Sequence, residues 1–181
     1  MNRKTFLTQL GGVGLVAMLP VNLLMAKSKS DPLKDKRLKG KVVLTEEGKV
    51  LKIFGNKQVH KFVGKDNNNQ LVEWVDYLAP GSGIPPHIHT KEDEVFRIIE
   101  GQVEIMVGNK TTVLNAGDMA FAPKNVVHSW KVVGTKKAQM CVSAFPSGME
   151  FMFDELNDLP PGKPDTKKVS EISAKYGIRF V

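Results

Sequence analysis

From residue 42 onward the chain alternates apolar and polar positions in short runs, each stopped by Gly, Pro, Asn or Asp. A period of two places successive side chains on opposite faces of a strand. The runs cover Val42–Leu44, Lys49–Phe54, Leu71–Ala79, Val95–Ile99, Val103–Val107, Thr111–Leu114, Met119–Ala122, Val127–Val133 and Ala138–Phe145. Between them sit Asn67-Asn68-Asn69, Pro80-Gly81, Glu100-Gly101, Gly108-Asn109 and Asn115-Ala116-Gly117-Asp118, which suit tight turns. Short strands at this spacing predict an all-β barrel or sandwich. After Pro146 the period lengthens. Met149, Met152, Phe153 and Leu156 recur at helical spacing until Pro160-Pro161-Gly162 breaks the pattern. A second helix, capped by Asp165 or Thr166, is expected through Tyr176 and closed by Gly177. Met149, Met152 and Phe153 are expected to pack against the barrel rather than to form a lid.

The first 26 residues differ in kind. Arg3-Lys4 is followed by an uncharged, largely apolar stretch from Thr5 to Ala26, the pattern of an export signal cleaved after a small residue. Arg3-Lys4-Thr5-Phe6-Leu7 resembles a twin-arginine signal with Lys at the second Arg position, and the ordinary secretory route fits as well. The expected location is periplasmic or secreted. The alternative is an uncleaved anchor, since a bilayer takes about 20 apolar residues, although Gly11, Gly12, Gly14, Pro20 and Asn22 weaken it. Residues 27–41 form a basic linker, 42–146 the barrel and 147–181 a helical extension.

Charge changes the picture little. The net charge of +7 resides in the first 41 residues: Arg3 and Lys4, then Lys27, Lys29, Lys34, Lys36, Arg37, Lys39 and Lys41 against Asp31 and Asp35. The barrel segment is balanced, which argues against a nucleic-acid partner. The tail is a solvated linker with at most weak attraction to an anionic membrane surface. The single cysteine, Cys141, excludes an internal disulfide and sits in the apolar run AQMCVSAF as a small packed residue.

Candidate chemistry lies in two segments. Gly81–Gly101, GSGIPPHIHTKEDEVFRIIEG, carries His87, His89 and Glu94. On a strand His87 and His89 share a face while Ile88 takes the other. A returning strand brings Glu94 back beside them, and His128 arrives from the second segment, Gly117–His128. Three imidazoles and a carboxylate suit one divalent transition metal: Fe, Mn, Ni, Co, Cu or Zn. Glu92 and Asp93 are expected to be exposed loop carboxylates and His60 a surface residue.

These segments carry a resemblance. The spacing Gly81-x5-His87-x-His89-x4-Glu94-x6-Gly101 is that of the first cupin motif. Gly117-x5-Pro123-x-Asn125-x2-His128 resembles the second, with Asn125 at a usual Gly position and Val132 at a usual Asn position. Asn is the non-Gly residue best suited to left-handed backbone, so the first departure is mild. Pro86-His87-Ile88-His89, Glu92-Asp93-Glu94 and the tail elements Met152–Leu156 and Ala174–Ile178 resemble single-domain cupins related to quercetin 2,3-dioxygenases. The resemblance implies a cupin β-barrel (a double-stranded β-helix or jelly roll) with His87, His89, Glu94 and His128 as metal ligands. It also implies Glu94 as proton acceptor, dioxygen as co-substrate and a flavonol-like or other small phenolic substrate. Another cupin enzyme, a decarboxylase or isomerase, and a non-catalytic metal- or small-molecule-binding cupin are the alternatives. Alternation alone offers Phe96, Ile98, Met106, Phe121 and Met140 as pocket residues. The family also implies a homodimer, for which the strands around Val42–Phe54 are the expected edge.

Overall fold

The computed structural model describes residues 38–162 and 164–181. The export signal, its anchor alternative and most of the basic linker lie outside the described residues. The strands are β1 (Lys49–Ile53), β2 (Asn56–Phe62), β3 (Val72–Leu78), β4 (Gly83–His89), β5 (Asp93–Glu100), β6 (Gln102–Val107), β7 (Lys110–Asn115), β8 (Met119–Ala122), β9 (His128–Val132), β10 (Ala138–Phe145) and β11 (Ile178–Phe180). Two helices, α1 (Met149–Asn157) and α2 (Thr166–Lys175), precede β11. The strands form two separate sheets, in the orders β1-β2-β3-β10-β5-β8 and β11-β4-β9-β6-β7, with antiparallel pairs throughout.

Alternation sets the faces. In β3, Val72, Trp74, Asp76 and Leu78 are buried while Glu73, Val75 and Tyr77 are only partly so. In β10 the buried set is Ala138, Met140, Val142 and Ala144, and in β5 it is Glu94, Phe96 and Ile98. The second sheet adds Val103 and Ile105 from β6 and Val132 from β9 to the same core. Two glycines permit the close approaches this requires. A Cβ on Gly83 would stand 2.6 Å from the Trp130 carbonyl oxygen. Gly101, at φ 78°, would place one 2.5 Å from the Lys137 carbonyl oxygen.

The C-terminal extension completes the architecture. β11 adds to the edge of β4, with Ile178 opposite His89 and Phe180 opposite His87. Asp165 is the cap of α2, accepting from the backbone N–H groups of Lys167 and Lys168. Met149, Met152, Phe153 and Leu156 on α1 are buried in the common core. Two local expectations are corrected. Val42–Leu44 is not a strand; Val42 and Leu44 are exposed and lack a ladder partner. Asn56–Phe62, too polar to stand out as a strand, pairs along both β1 and β3.

Candidate metal centre

The first motif folds as β4, a three-residue turn and β5. His87 and His89 are buried on one face of β4, and Glu94 on the inward face of β5 lies between Ala122 of β8 and Ala144 of β10. His128 opens β9 directly opposite His87. The small Ala122 and Ala144 leave room for the carboxylate, and Asn125 adopts φ 65° in the turn that delivers His128. One donor atom from each of His87, His89, Glu94 and His128 lies within 4.8 Å of the others, and all four residues are buried. Ring centroids of His87 and His128 are 4.3 Å apart; His89 is 5.0 Å from each.

The hydrogen bonds aim the donors. His87 Nδ1 donates to the Pro85 carbonyl at 2.9 Å, and His128 Nδ1 donates to the Val126 carbonyl at 2.9 Å. Each ring therefore turns Nε2 to the centre. His128 Nε2 meets Glu94 Oε2 at 3.0 Å, and His89 Nε2 is 3.7 Å from the same oxygen. Because Val126 O can only accept, the His128–Glu94 contact carries a proton, which a cation at the centre would replace.

Burial, then the neighbouring His128 charge, pulls His87 down to about 4. Burial also lowers His89, so both rings offer neutral lone pairs near neutral pH. For Glu94 burial acts upward, but the charges of His89 and His128 and the hydrogen bond outweigh it and hold the group a carboxylate. For His128 burial acts downward and the Glu94 hydrogen bond and charge prevail upward. A buried carboxylate among inward-aimed imidazoles, with backbone carbonyls fixing two tautomers, fits a transition-metal site.

Beside the cluster, sequence reasoning missed Glu92. It is not an exposed loop carboxylate: it is 3% exposed, folded beneath His89. Its Oε2 and His89 Nδ1 are both buried without a hydrogen-bond partner and lie 3.9 Å apart. An outer carboxylate on the second nitrogen of a ligand imidazole orients the ring toward its ion. Glu92→Leu is expected to weaken metal affinity about 10–100-fold, with a smaller loss for Glu92→Gln, which keeps an acceptor. Competition with a chromogenic chelator measures both, and an unchanged affinity in the Leu variant would reduce Glu92 to packing. Asp93, half-buried, accepts from the backbone N–H of Lys124 at 2.8 Å.

A cavity of about 380 Å³ opens on the cluster, reaching His87, His89 and Glu94. Its walls are aromatic and aliphatic: Phe54, Trp74, Phe96, Trp130, Phe153 and Phe180 with Ile84, Val142, Met149, Met152 and Ile178 among others. Helices α1 and α2 and strand β11 thus supply part of the lining, so Met149, Met152 and Phe153 both pack and face the cavity. Among the described residues no Lys or Arg lines it. Of the five pocket residues expected from alternation, Phe96 faces the cavity. Ile98 and Met140 are packed in the core away from it. Met106 lies on the opposite face of β6 from Val103 and Ile105, beside a different cleft. Phe121 is turned outward and 56% exposed, because β8 directs Ala120 and Ala122 inward. His60, expected on the surface, is buried at 3% beneath Trp74 and Phe153.

A family model described as a cupin domain matches residues 74–145, a span that contains all four clustered residues. The fold is the cupin fold. The solved structure of KdgF from Halomonas sp. has the same fold, with a TM-score of 0.54 over 62% of this chain and 99% of that one at 16% identity. A germin-like protein, subfamily 2 member 4 of Arabidopsis thaliana, is 27% identical over 141 residues, 68% of this chain and 64% of the relative. Quercetin 2,3-dioxygenase of Bacillus subtilis is 28% identical over 89 residues, 48% of this chain and 26% of the relative. The chain spans less than two thirds of either curated relative. The two motifs span β4–β5 and β8–β9, and the four clustered residues lie on β4, β5 and β9.

Proposed function

We propose that this cupin is a metal-dependent dioxygenase acting on an uncharged or weakly acidic aromatic small molecule of phenolic, flavonol-like type. The observation that carries the reading is the cavity: aromatic walls, one buried His/Glu cluster and no lysine or arginine among the described lining residues. A multiply charged carboxylate or phosphate substrate would want a guanidinium or ammonium partner. A flat phenol wants apolar walls and one group to take its proton. The relationship to quercetin 2,3-dioxygenase, whose name specifies a flavonol and dioxygen, agrees with this.

His87, His89, His128 and Glu94 would hold one divalent ion, which when bound supplies the activation of substrate toward dioxygen. The chain's own residues do the rest. Glu94, held as a carboxylate and lining the cavity, accepts the phenolic proton. Phe96 and Phe180 flank the imidazoles, with ring centroids 6.0 Å from His128 and 5.9 Å from His87, and exclude water.

Protein reloaded in turn with Fe, Mn, Ni, Co, Cu or Zn is tested for oxygen uptake against a flavonol panel. Uptake is expected with at least one metal. Glu94→Gln is expected to lower kcat by about 10²–10⁴-fold, the range for loss of a positioned base. No uptake with any phenolic despite stoichiometric metal would sink the reading in favour of a binding cupin. Carbon dioxide release from a carboxylate substrate would replace it with a decarboxylase.

A further inference from the structure

The inward face of β3 reads Val72, Trp74, Asp76, Leu78: one carboxylate in an apolar row. Asp76 is 7% exposed and lines the same cavity as the His/Glu cluster, yet it belongs to no metal-ligand group. A carboxylate in such a wall costs stability unless its site uses it. Its environment is built. Trp74 Nε1–H donates to Oδ2 at 2.9 Å, and the Gln58 amide donates to Oδ1 at 2.9 Å. Gln58 is itself held, because its carbonyl accepts from His60 Nε2 at 2.8 Å. Among the described residues no lysine, arginine or histidine forms an ion pair with Asp76. Each oxygen accepts one bond and retains capacity for another, a free acceptor facing a chamber whose walls are mostly apolar.

The placement is as informative as the chemistry. Asp76 sits opposite Met140 and Glu94 opposite Ala144, so the two carboxylates lie on strands separated by β10 and are offset along it. Two strand spacings amount to on the order of 10 Å. The cavity therefore has two polar ends joined by aromatic walls.

We propose that Asp76, tethered by Gln58 and Trp74, is a specificity residue. It accepts a hydrogen bond from a hydroxyl at the far end of an aromatic substrate whose near end meets the His/Glu cluster. This rests on the phenolic reading above, and adds to it that the substrate carries a second, distal hydroxyl.

Both tryptophans of the chain, Trp74 and Trp130, line the cavity, so quenching of intrinsic emission reports occupancy directly. The metal-loaded full chain is titrated without oxygen against 3-hydroxyflavone and 3,4′-dihydroxyflavone, which differ by one distal hydroxyl. At pH 8, where Asp76 is ionised, the wild type is expected to bind the dihydroxy probe about 10–100-fold more tightly, the range for a hydrogen bond to a charged group. Asp76→Leu is expected to abolish that preference, read as the ratio of the two affinities. Asp76→Asn, isosteric and the safeguard against misfolding, is expected to keep only part of it. A merely structural residue would weaken both probes alike, and that result overturns the proposal. So does an undiminished preference in either variant. Equal binding of both probes to wild type removes the role of Asp76 alone, whereas failure of both to bind removes the phenolic reading with it.

Discussion

Replacing His128 by alanine is expected to abolish stoichiometric metal binding and to lower the melting temperature of the protein even where no metal is added. The residue is 1% exposed and fixed from both sides: Nδ1 on the Val126 carbonyl, Nε2 on Glu94. Its loss removes one of three imidazoles and also strips Glu94 of its one hydrogen-bonded side-chain partner among the described residues. A buried carboxylate left without that partner costs about 3–5 kcal/mol. Loss of a direct ligand is expected to exceed the 10–100-fold affinity penalty typical of outer partners. Elemental analysis after dialysis gives the stoichiometry. Thermal melts with and without added metal separate a ligand from a packing residue. Ligand binding to the folded state raises wild-type stability with the logarithm of its concentration over Kd. The His128→Ala melt should not respond at the same metal concentration. A variant that retains one equivalent would refute the four-residue ligand set.

The legibility of this site has a physical cause. His87 and His89 are two apart on one strand, so a shared face follows from the period alone. Glu94 and His128 then had to return to that face, and the turn residues around them made that return the economical reading. Asn125 adopts the left-handed backbone that its place in the motif required. The sheet pattern was legible for the same reason wherever a strand has one wet and one dry face.

Four residues were missed for a different reason. Alternation assigns polar residues outward by default, so Gln58, His60 and Asp76 were invisible as inward groups, while Glu92, in the turn between β4 and β5, lies outside any alternating run. Yet β2 faces Gln58 and His60 inward, each opposite an inward residue of β3: Asp76 and Trp74. Only tertiary pairing reveals that such polar residues satisfy one another. Phe121 and Met106 show the converse error. Alternation offered both as inward, but the inward parity belongs to Ala120 and Ala122 in β8 and to Val103 and Ile105 in β6. Small inward residues mark where the cluster needs space, which residue size alone does not reveal.

Asp76→Asn is expected to destabilise the protein near pH 4 and to stabilise it near pH 8. Burial first, with repulsion from Glu94 adding to it and the Gln58 and Trp74 hydrogen bonds opposing, raises Asp76 from 3.8 to about 7. Below about pH 4 the group is protonated in folded and unfolded chains alike and carries no linkage cost. Between there and pH 7 the unfolded chain releases the proton while the folded chain keeps it, so stability falls as pH rises. Above pH 7 the cost is constant, up to about 4 kcal/mol at 1.36 kcal/mol per pH unit. Asparagine carries no such cost. It supplies one acceptor where the carboxylate supplied two, which loses about 1 kcal/mol at every pH. The two stability curves should therefore cross between pH 4 and 7, as read from urea unfolding at pH 4.5, 6 and 8. Groups common to both proteins cancel in the difference, apart from the repulsion between Asp76 and Glu94, which acts in the same direction. Parallel curves would show that Asp76 ionises in the folded state as readily as in the unfolded one. A crossing would show that this carboxylate costs stability at neutral pH, as expected of a residue retained for what it binds rather than for what it holds together.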